Sequence, residues 1–402
     1  MGPLGSRLRR AGARVAGRAL SKVVFVSYGG FESNSAGHID GFARELHRQG
    51  YAVTVAARGS ALEAYAQGAP PYAFASLQDL AKDPDAVIGF DGRLEPERTA
   101  LVCWTPRKAS RNAAQKAFRV RPMGYVVHLE DNEDHLGELR AAAAEGAVPD
   151  DREARHGFIA GAAGVTYIAP RLQEGVPAGT PSLWLEPGVD LEGLAEPMPA
   201  LRRASLLRAA GAPAQARVLV YPGNAHRANL QEVAELYRAA GLLRGRGHEL
   251  VLIKTGQDDP AAAPVLGPLA AESGVLELGR VPRPLLLDLM RCADLFVQPG
   301  APGPFNDYRL PSKLPEFMAV GRPVVLPAAN LGLRLKDGVE ALMLHEGSAG
   351  EIAARVEQIL ADPGLARRLG ANARAFAART WRWEAQGRRL ADFLEQLWRA
   401  RG

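Results

Sequence analysis

Several things that would have declared a function at once are scarce or missing. There are only two cysteines in 402 residues, Cys103 and Cys292. They lie far apart, each in an apolar context, so they read as small core residues and exclude a disulfide framework. A reducing cytoplasm is the natural expectation. No His/Cys cluster has zinc spacing. No run approaches the roughly 18 apolar residues of a membrane span. There is no G-x-G-x-x-G fingerprint, which removes the main support for a nicotinamide cofactor. Aromatics are 6% of the chain, and none stud a basic stripe of the kind that binds nucleic acid.

The net charge of +5 is misleading. Five arginines (7, 9, 10, 14 and 18) and no acid fall in the first 20 residues. The rest carries 44 basic and 44 acidic residues, so a pI near 9.3 says nothing about nucleic acid. Residues 1–20 have the basic character of a signal sequence without its apolar segment. They are expected to be a disordered tail, or a short basic helix lying on anionic lipid at the inner membrane face.

At 47% hydrophobic and 23% charged residues, the remainder is long enough for two domains of about 150–200 residues. Val23 to Ser27 reads as a strand, Tyr28-Gly29-Gly30 as the turn after it, and Ile39 to His47 as a helix. A second strand follows at Ala52 to Ala56. That is a Rossmann-like opening. Apolar runs at Ala86–Gly89, Ala100–Trp104, Tyr125–Val127, Val165–Ile168 and Ser182–Leu185 continue it as strands. A second cycle begins after the Pro-rich residues 186–199, with strands at Val218–Tyr221, Leu250–Ile253, Val275–Leu278, Leu295–Gln298, Pro323–Leu326 and Ala341–Leu344. Strands alternating with helices predict parallel sheets covered on both faces, with ligands at the strand C-terminal edges. The expected class is α/β with two Rossmann-like domains and a cleft between them.

The stretch FNDYRLPSKLPEFMAVGRPVVL, Phe305 to Leu326, is the richest in chemistry. Pro311 and Ser312 are helix-start residues, and Gly321 followed by Pro323 is a stop. Arg309 and Lys313 make the loop and first turn cationic, which suits an anion. Glu316, one turn further in, can accept two hydrogen bonds from a sugar's hydroxyl pair. The plain alternative is a solvated helix face. Upstream, GYVVHLEDNE places His128 at a strand end. Asp131 and Glu133 can meet an acceptor hydroxyl or act as a base, while Asp131 or Asn132 can merely cap the next helix. CWTPRKASR places Arg107 after another strand, for an acidic acceptor or a surface salt bridge. In YPGNAHRANLQE, Gly223, Asn224 and Arg227 follow the second domain's first strand. Gly29 and Gly30 allow close backbone approach or simply a tight turn.

The order of the 305–326 segment resembles the nucleotide-sugar signature of the retaining glycosyltransferases of family GT4, which have the GT-B fold. PGVD at Pro187 to Asp190 resembles that family's hinge. NARAF and WRWE resemble its closing segment, whose last helix crosses back to the first domain. The resemblance implies domains at 21–190 and 191–375 with a returning helix at 376–402. It implies a nucleotide-diphosphate sugar as co-substrate, with no cofactor and no metal. It also implies no protein nucleophile, since the leaving phosphate can take the acceptor's proton. Glu316 matches the glutamate that holds the ribose, and His128 the histidine that contacts the donor sugar. Tyr308 stands where the family has its first glutamate. Asn224 and Asn229 stand where it has phosphate-gripping cations. Arg227, Arg309, Lys313 and Lys254 are expected to compensate, with Leu310 and Ser312 completing the donor loop. The acceptor is expected to be a saccharide, a lipid-linked molecule or a small molecule, and nucleic acid is not a partner. An epimerase or phosphorylase on the same fold, or a degenerate nucleotide-sugar-binding protein, is the alternative.

Overall fold

Lys22–Gly30 forms β1, whose Val23, Val24, Phe25 and Val26 are completely buried in the computed structural model. Residues 18–30, 33–59, 70–88, 95–120, 123–141 and 151–401 are described. The chain divides into two compact units, one of Met1–Gly188 with Trp383–Gly402, the other of Val189–Arg382.

The first unit holds one parallel sheet. Its strands are β1, β2 (Ala52–Arg58), β3 (Ala73–Ser76), β4 (Thr99–Trp104), β5 (Gly124–Leu129), β6 (Gly164–Tyr167) and β7 (Ser182–Trp184), in the order β3-β2-β1-β4-β5-β6-β7. Helix Asn34–Arg48 covers one face, burying Ile39, Phe42, Ala43 and Leu46 at helical spacing. Helix Trp383–Arg399 packs on that helix. Its Leu390, Leu394, Leu397 and Trp398 join the core that includes Phe25 and Phe42.

Four expectations need correction. Ala86–Gly89 is no strand, since residues Pro84–Ile88 are helical. Pro84 suits the first helical position, and the Asp83 carboxylate accepts from Ala86 N–H at 3.0 Å. Gly89 lies outside the described residues. Strand β3 went unforeseen because it is four residues with one large side chain, Phe74. The long helical region near the carboxyl end is broken at Trp381-Arg382, so the return to the first unit begins at Trp383 and not at 376. Finally, residues 18–20 are not tail. Leu20 is only 1% exposed, Ala19 N–H donates to Glu395 at 2.8 Å, and the Arg18 guanidinium lies over Tyr51. The arginines at 7, 9, 10 and 14 lie outside the described residues. Deleting residues 1–20 therefore strips a core leucine worth about 1.5–3 kcal/mol, and should lower the melting temperature by roughly 3–12 °C in scanning calorimetry.

The second unit holds two three-stranded parallel sheets. One has the order β10-β9-β8, the other β11-β12-β13. The strands are β8 (Arg217–Pro222), β9 (Leu250–Thr255), β10 (Leu276–Glu277), β11 (Phe296–Val297), β12 (Val324–Pro327) and β13 (Leu342–Leu344). A bridge between Leu219 and Leu295 joins the two sheets edge to edge. Helices Leu230–Gly245 and Ala349–Ala361 share the core with β8, β9 and β12.

Candidate functional site

Each unit has a place where its strand order reverses, and crevices form at the C-terminal strand ends of such places. In the second unit this point lies between β8 and β11.

Arg309 and Lys313 come together there. Arg309 stacks on the Phe305 ring at 3.7 Å, donates to Asn306 Oδ1 at 3.0 Å, and reaches Glu232 Oε2 at 3.4 Å. Asn306 donates to the other Glu232 oxygen at 2.5 Å. Gly300, with φ +133°, leaves room for this contact. A Cβ there would sit 2.7 Å from Asn306 Nδ2 and 2.8 Å from Glu232 Oε1. Burial raises the Glu232 carboxyl above the usual range, opposed by Arg309, Asn306 and Lys313. Arg309→Ala should therefore lower the melting temperature by stranding a buried carboxylate. Adding Glu232→Ala should restore part of the loss, which a double-mutant cycle by thermal melting would measure.

Lys313 Nζ lies 4.5 Å from the centre of the Tyr221 ring and 3.5 Å from its hydroxyl. No ion pair within 4.0 Å balances it among the described residues. A side chain at Gly223 would meet Nζ at 2.5 Å, so glycine there opens the lysine's space. Desolvation lowers its pKa to about 7, helped by Arg309 and Lys254 and resisted by Glu232. The short helix starts at Leu314, with Lys313 as its cap residue, later than Pro311 and Ser312 suggested. It ends as expected at Gly321, in the left-handed conformation. With only seven residues in that helix, the two cationic side chains carry more of the positive potential than its end does.

The other expected donor residues are placed differently. Glu316 is paired with Arg283 through both oxygens, with Nη1 to Oε2 at 3.3 Å. Lys254 is buried and gripped by Asp258 at 2.6 and 2.7 Å. Gly223 N–H is used by the Thr255 carbonyl at 3.1 Å. Asn224 is exposed, and its side-chain oxygen accepts from Gln257 N–H. Arg227 is exposed. Leu310 is buried, while Tyr308 and Ser312 are half-buried in the loop. Asn330, itself at φ +40°, anchors that loop by donating to the Arg309 carbonyl. Sequence reasoning missed Glu232, Asn306, Tyr221 and Arg283. Glu232 alone carried a signal, as an acid in the first turn of the helix after the glycine loop.

In the first unit the reversal falls between β1 and β4. Here the centre is Glu130, a residue the sequence did not single out. Its carboxylate takes a hydrogen bond from His38 Nδ1 at 3.0 Å, one from Thr105 Oγ1 at 3.0 Å and one from Ser35 Oγ. Burial alone would raise this carboxyl. The hydrogen bond and charge of His38, with His128 and Ser35, bring it instead to about 2. Thr105 sits at φ +56°, a strained position for a β-branched residue. Its carbonyl is held by Ser110 at 2.7 Å.

His128 is buried to 1% exposure, stacked on Trp104 at 3.8 Å and bonded through Nδ1 to Thr166 at 2.8 Å. Among the described residues its Nε2 has no hydrogen-bond partner. Burial pushes its pKa down to about 3, so the ring is neutral at ordinary pH. Arg107 is salt-bridged to Glu133 at 2.6 Å, stands 3.7 Å from Asp131 and stacks on Tyr28 at 4.1 Å. The capping alternative falls to Asn132, whose oxygen accepts from His135 N–H at 3.1 Å. Gly29 and Gly30 end β1, and the Gly30 carbonyl closes a turn with Ser33. Among the described residues no cluster of three His, Cys, Asp or Glu could hold a metal ion. Among them too, no helix is long and apolar enough to cross a membrane.

Known structures match over nearly the whole chain. A sucrose-phosphate synthase from Thermosynechococcus elongatus superposes with a TM-score of 0.70 at 17% identity, over 95% of this chain and 100% of that one. The Anabaena protein Alr3699/HepE, in complex with UDP and glucose, gives 0.69 at 16%, over 93% and 99%. A glycosyltransferase from Rickettsia africae gives 0.70 at 11%, over 94% and 98%. The fold is therefore α/β of the GT-B type, with two parallel-sheet units. By sequence, residues 216–362 match the family described as glycosyl transferases group 1. A comparison with curated proteins finds no match.

Proposed function

We propose that this chain is a glycosyltransferase that moves a sugar from a nucleotide-diphosphate sugar to an acceptor hydroxyl with retention of configuration, as the resemblance to family GT4 implies. The observation that carries the reading is Lys313. An ammonium enclosed against an aromatic face, beside a guanidinium and with no carboxylate in ion-pair contact, is costly until an anion arrives. A diphosphate is that anion. As the bond to the sugar breaks, charge grows on the leaving oxygen, and Arg309 with Lys313 stabilises it there without reorganising.

Glu316 takes the ribose hydroxyls. Its pairing with Arg283 fixes the carboxylate's orientation and leaves acceptor capacity over, since an ionised carboxylate offers about four lone-pair sites. Lys254 acts at a distance, because Asp258 already neutralises it. His128 is too deeply buried for a direct contact and supports the strand ends instead. Leaving-group charge is assigned to side chains and not to a metal ion. The group 1 match over residues 216–362 and the UDP seen with the Anabaena protein both support a nucleotide-sugar donor.

The test is a screen of nucleotide sugars for slow donor hydrolysis, with product analysis. Release of free sugar and nucleoside diphosphate from at least one donor is expected. Conversion of one sugar nucleotide into another would instead make the protein an epimerase.

A further inference from the structure

The chain has seven lysines. Lys82, Lys108, Lys116 and Lys336 are exposed. Lys22 is buried and donates to the Ile88 carbonyl. Lys254 is buried and held by both Asp258 oxygens, at 2.6 and 2.7 Å. Lys313 is built differently. It is half-buried, with Nζ 4.5 Å from the centre of the Tyr221 ring. Its one hydrogen bond among the described residues, to the Tyr221 hydroxyl, is long at 3.5 Å. Burial raises the pKa of that hydroxyl, so the contact is with a neutral group. Gly223 keeps the space beside Nζ open. Desolvation is the main influence that brings the amine's pKa to about 7. Arg309 from its own loop and Lys254 from β9 add to it, and Glu232 from helix Leu230–Gly245 opposes it. About half of the Lys313 amines therefore carry a free lone pair at neutral pH. Arg309 uses its Nε and Nη2 on Asn306 and Glu232, and its Nη1 makes no hydrogen bond among the described residues.

A nucleophilic amine beside an open guanidinium nitrogen fits a reagent that is a phosphate at one end and an electrophilic carbonyl at the other. We infer that Lys313 is an acylation site, where a small acyl phosphate is seated by Arg309 and passes its acyl group to Nζ. The inference rests on the nucleotide-diphosphate reading of the pocket, because its consequence is to close that pocket. In the step, the Nζ lone pair attacks the carbonyl carbon and a nitrogen–carbon bond forms. The bond from that carbon to the phosphate oxygen breaks, and inorganic phosphate leaves with the electron pair. One amine proton goes to the departing phosphate, and nothing is oxidised or reduced. The amide left at Nζ cannot take up a proton, so the ammonium that a diphosphate recruits no longer forms. The acyl group also fills the space that Gly223 leaves open. Every participating residue lies in the second unit.

Acetyl phosphate at pH 7.5, with peptide mass spectrometry on the full chain, provides the test. Lys313 is expected to gain an acetyl group about tenfold faster, or more, than the four exposed lysines. Its rate should rise through pH 7 and level off about one unit above. Saturating UDP should slow labelling of Lys313 about tenfold or more and leave the exposed lysines unchanged. N-acetoxysuccinimide carries no phosphate and should favour Lys313 less than acetyl phosphate does. An equal preference would overturn the seating by Arg309. The acetylated protein is expected to bind UDP about tenfold more weakly, or worse, by calorimetry. Lys313→Met treated in the same way should keep the affinity it had before treatment. If wild type binds UDP but Lys313 is labelled no faster than the exposed lysines, the inference is overturned while the donor reading stands. If acetylation at Lys313 leaves UDP affinity unchanged, the inference falls together with the diphosphate's place at Lys313. If wild type binds neither UDP nor GDP, the donor reading falls and takes the inference with it.

Discussion

Lys313→Met is expected to lower turnover by roughly tenfold or more, the effect of removing about 1.4 kcal/mol of transition-state stabilisation. It should also remove the pH dependence of diphosphate binding. The sign follows from the lysine's surroundings. In the empty site desolvation holds its pKa near 7, so about half the molecules lack the charge at neutral pH. A bound diphosphate favours the ammonium and raises that pKa, so binding takes up a proton. Affinity should fall as pH rises above 7, and Lys313→Met should flatten the curve. Stability behaves oppositely. The folded pKa lies below the ordinary 10.5, so the folded state holds fewer protons than the unfolded chain between pH 7 and 10.5. Stability of the empty protein should rise with pH across that window. Methionine keeps the apolar stem against Tyr221, so a loss of activity would not reflect lost packing.

Glu316→Ala is expected to weaken UDP binding by about tenfold to a hundredfold. That is the loss of one charge-assisted hydrogen bond at about 1.5–3 kcal/mol. Fold stability should change less, because the carboxylate is a fifth exposed and its partner Arg283 a third exposed. Adenosine or uridine alone should be weakened by the same factor as the diphosphate, whereas Lys313→Met should spare the nucleosides. Calorimetry with both ligand classes separates the two roles. Equal UDP affinity in a folded Glu316→Ala protein would remove Glu316 from the ribose site.

Much of this architecture was legible from period and punctuation. Buried parallel strands read as short apolar runs because both faces are covered, and Gly321 marks a helix end because only glycine takes φ +76° cheaply. The elements that failed were those whose identity is decided elsewhere. Pro84 and Asp83 turned an apolar run into a helix. The strand Ala73–Ser76 exists because β2 offers it an edge. Within the candidate site, Arg309, Lys313 and Glu316 were visible as charge at loop and helix-start spacing. Glu232, Asn306 and Tyr221 were not, since they converge from β8, its following helix and the loop after β11. Glu130 and His38 lie 92 residues apart, and no local pattern joins them. Lys254 shows the opposite failure. A cation at a strand end looked available for phosphate, yet Asp258, four residues on, already holds it.

The claim that the Lys313 pocket receives the nucleotide diphosphate is tested most directly by titrating UDP at low salt and pH 7.5, in two buffers of different ionisation enthalpy. Binding accompanied by proton uptake, with the uptake lost in Lys313→Met, is the predicted result. Absence of binding by both UDP and GDP, or uptake unchanged in Lys313→Met, would contradict it.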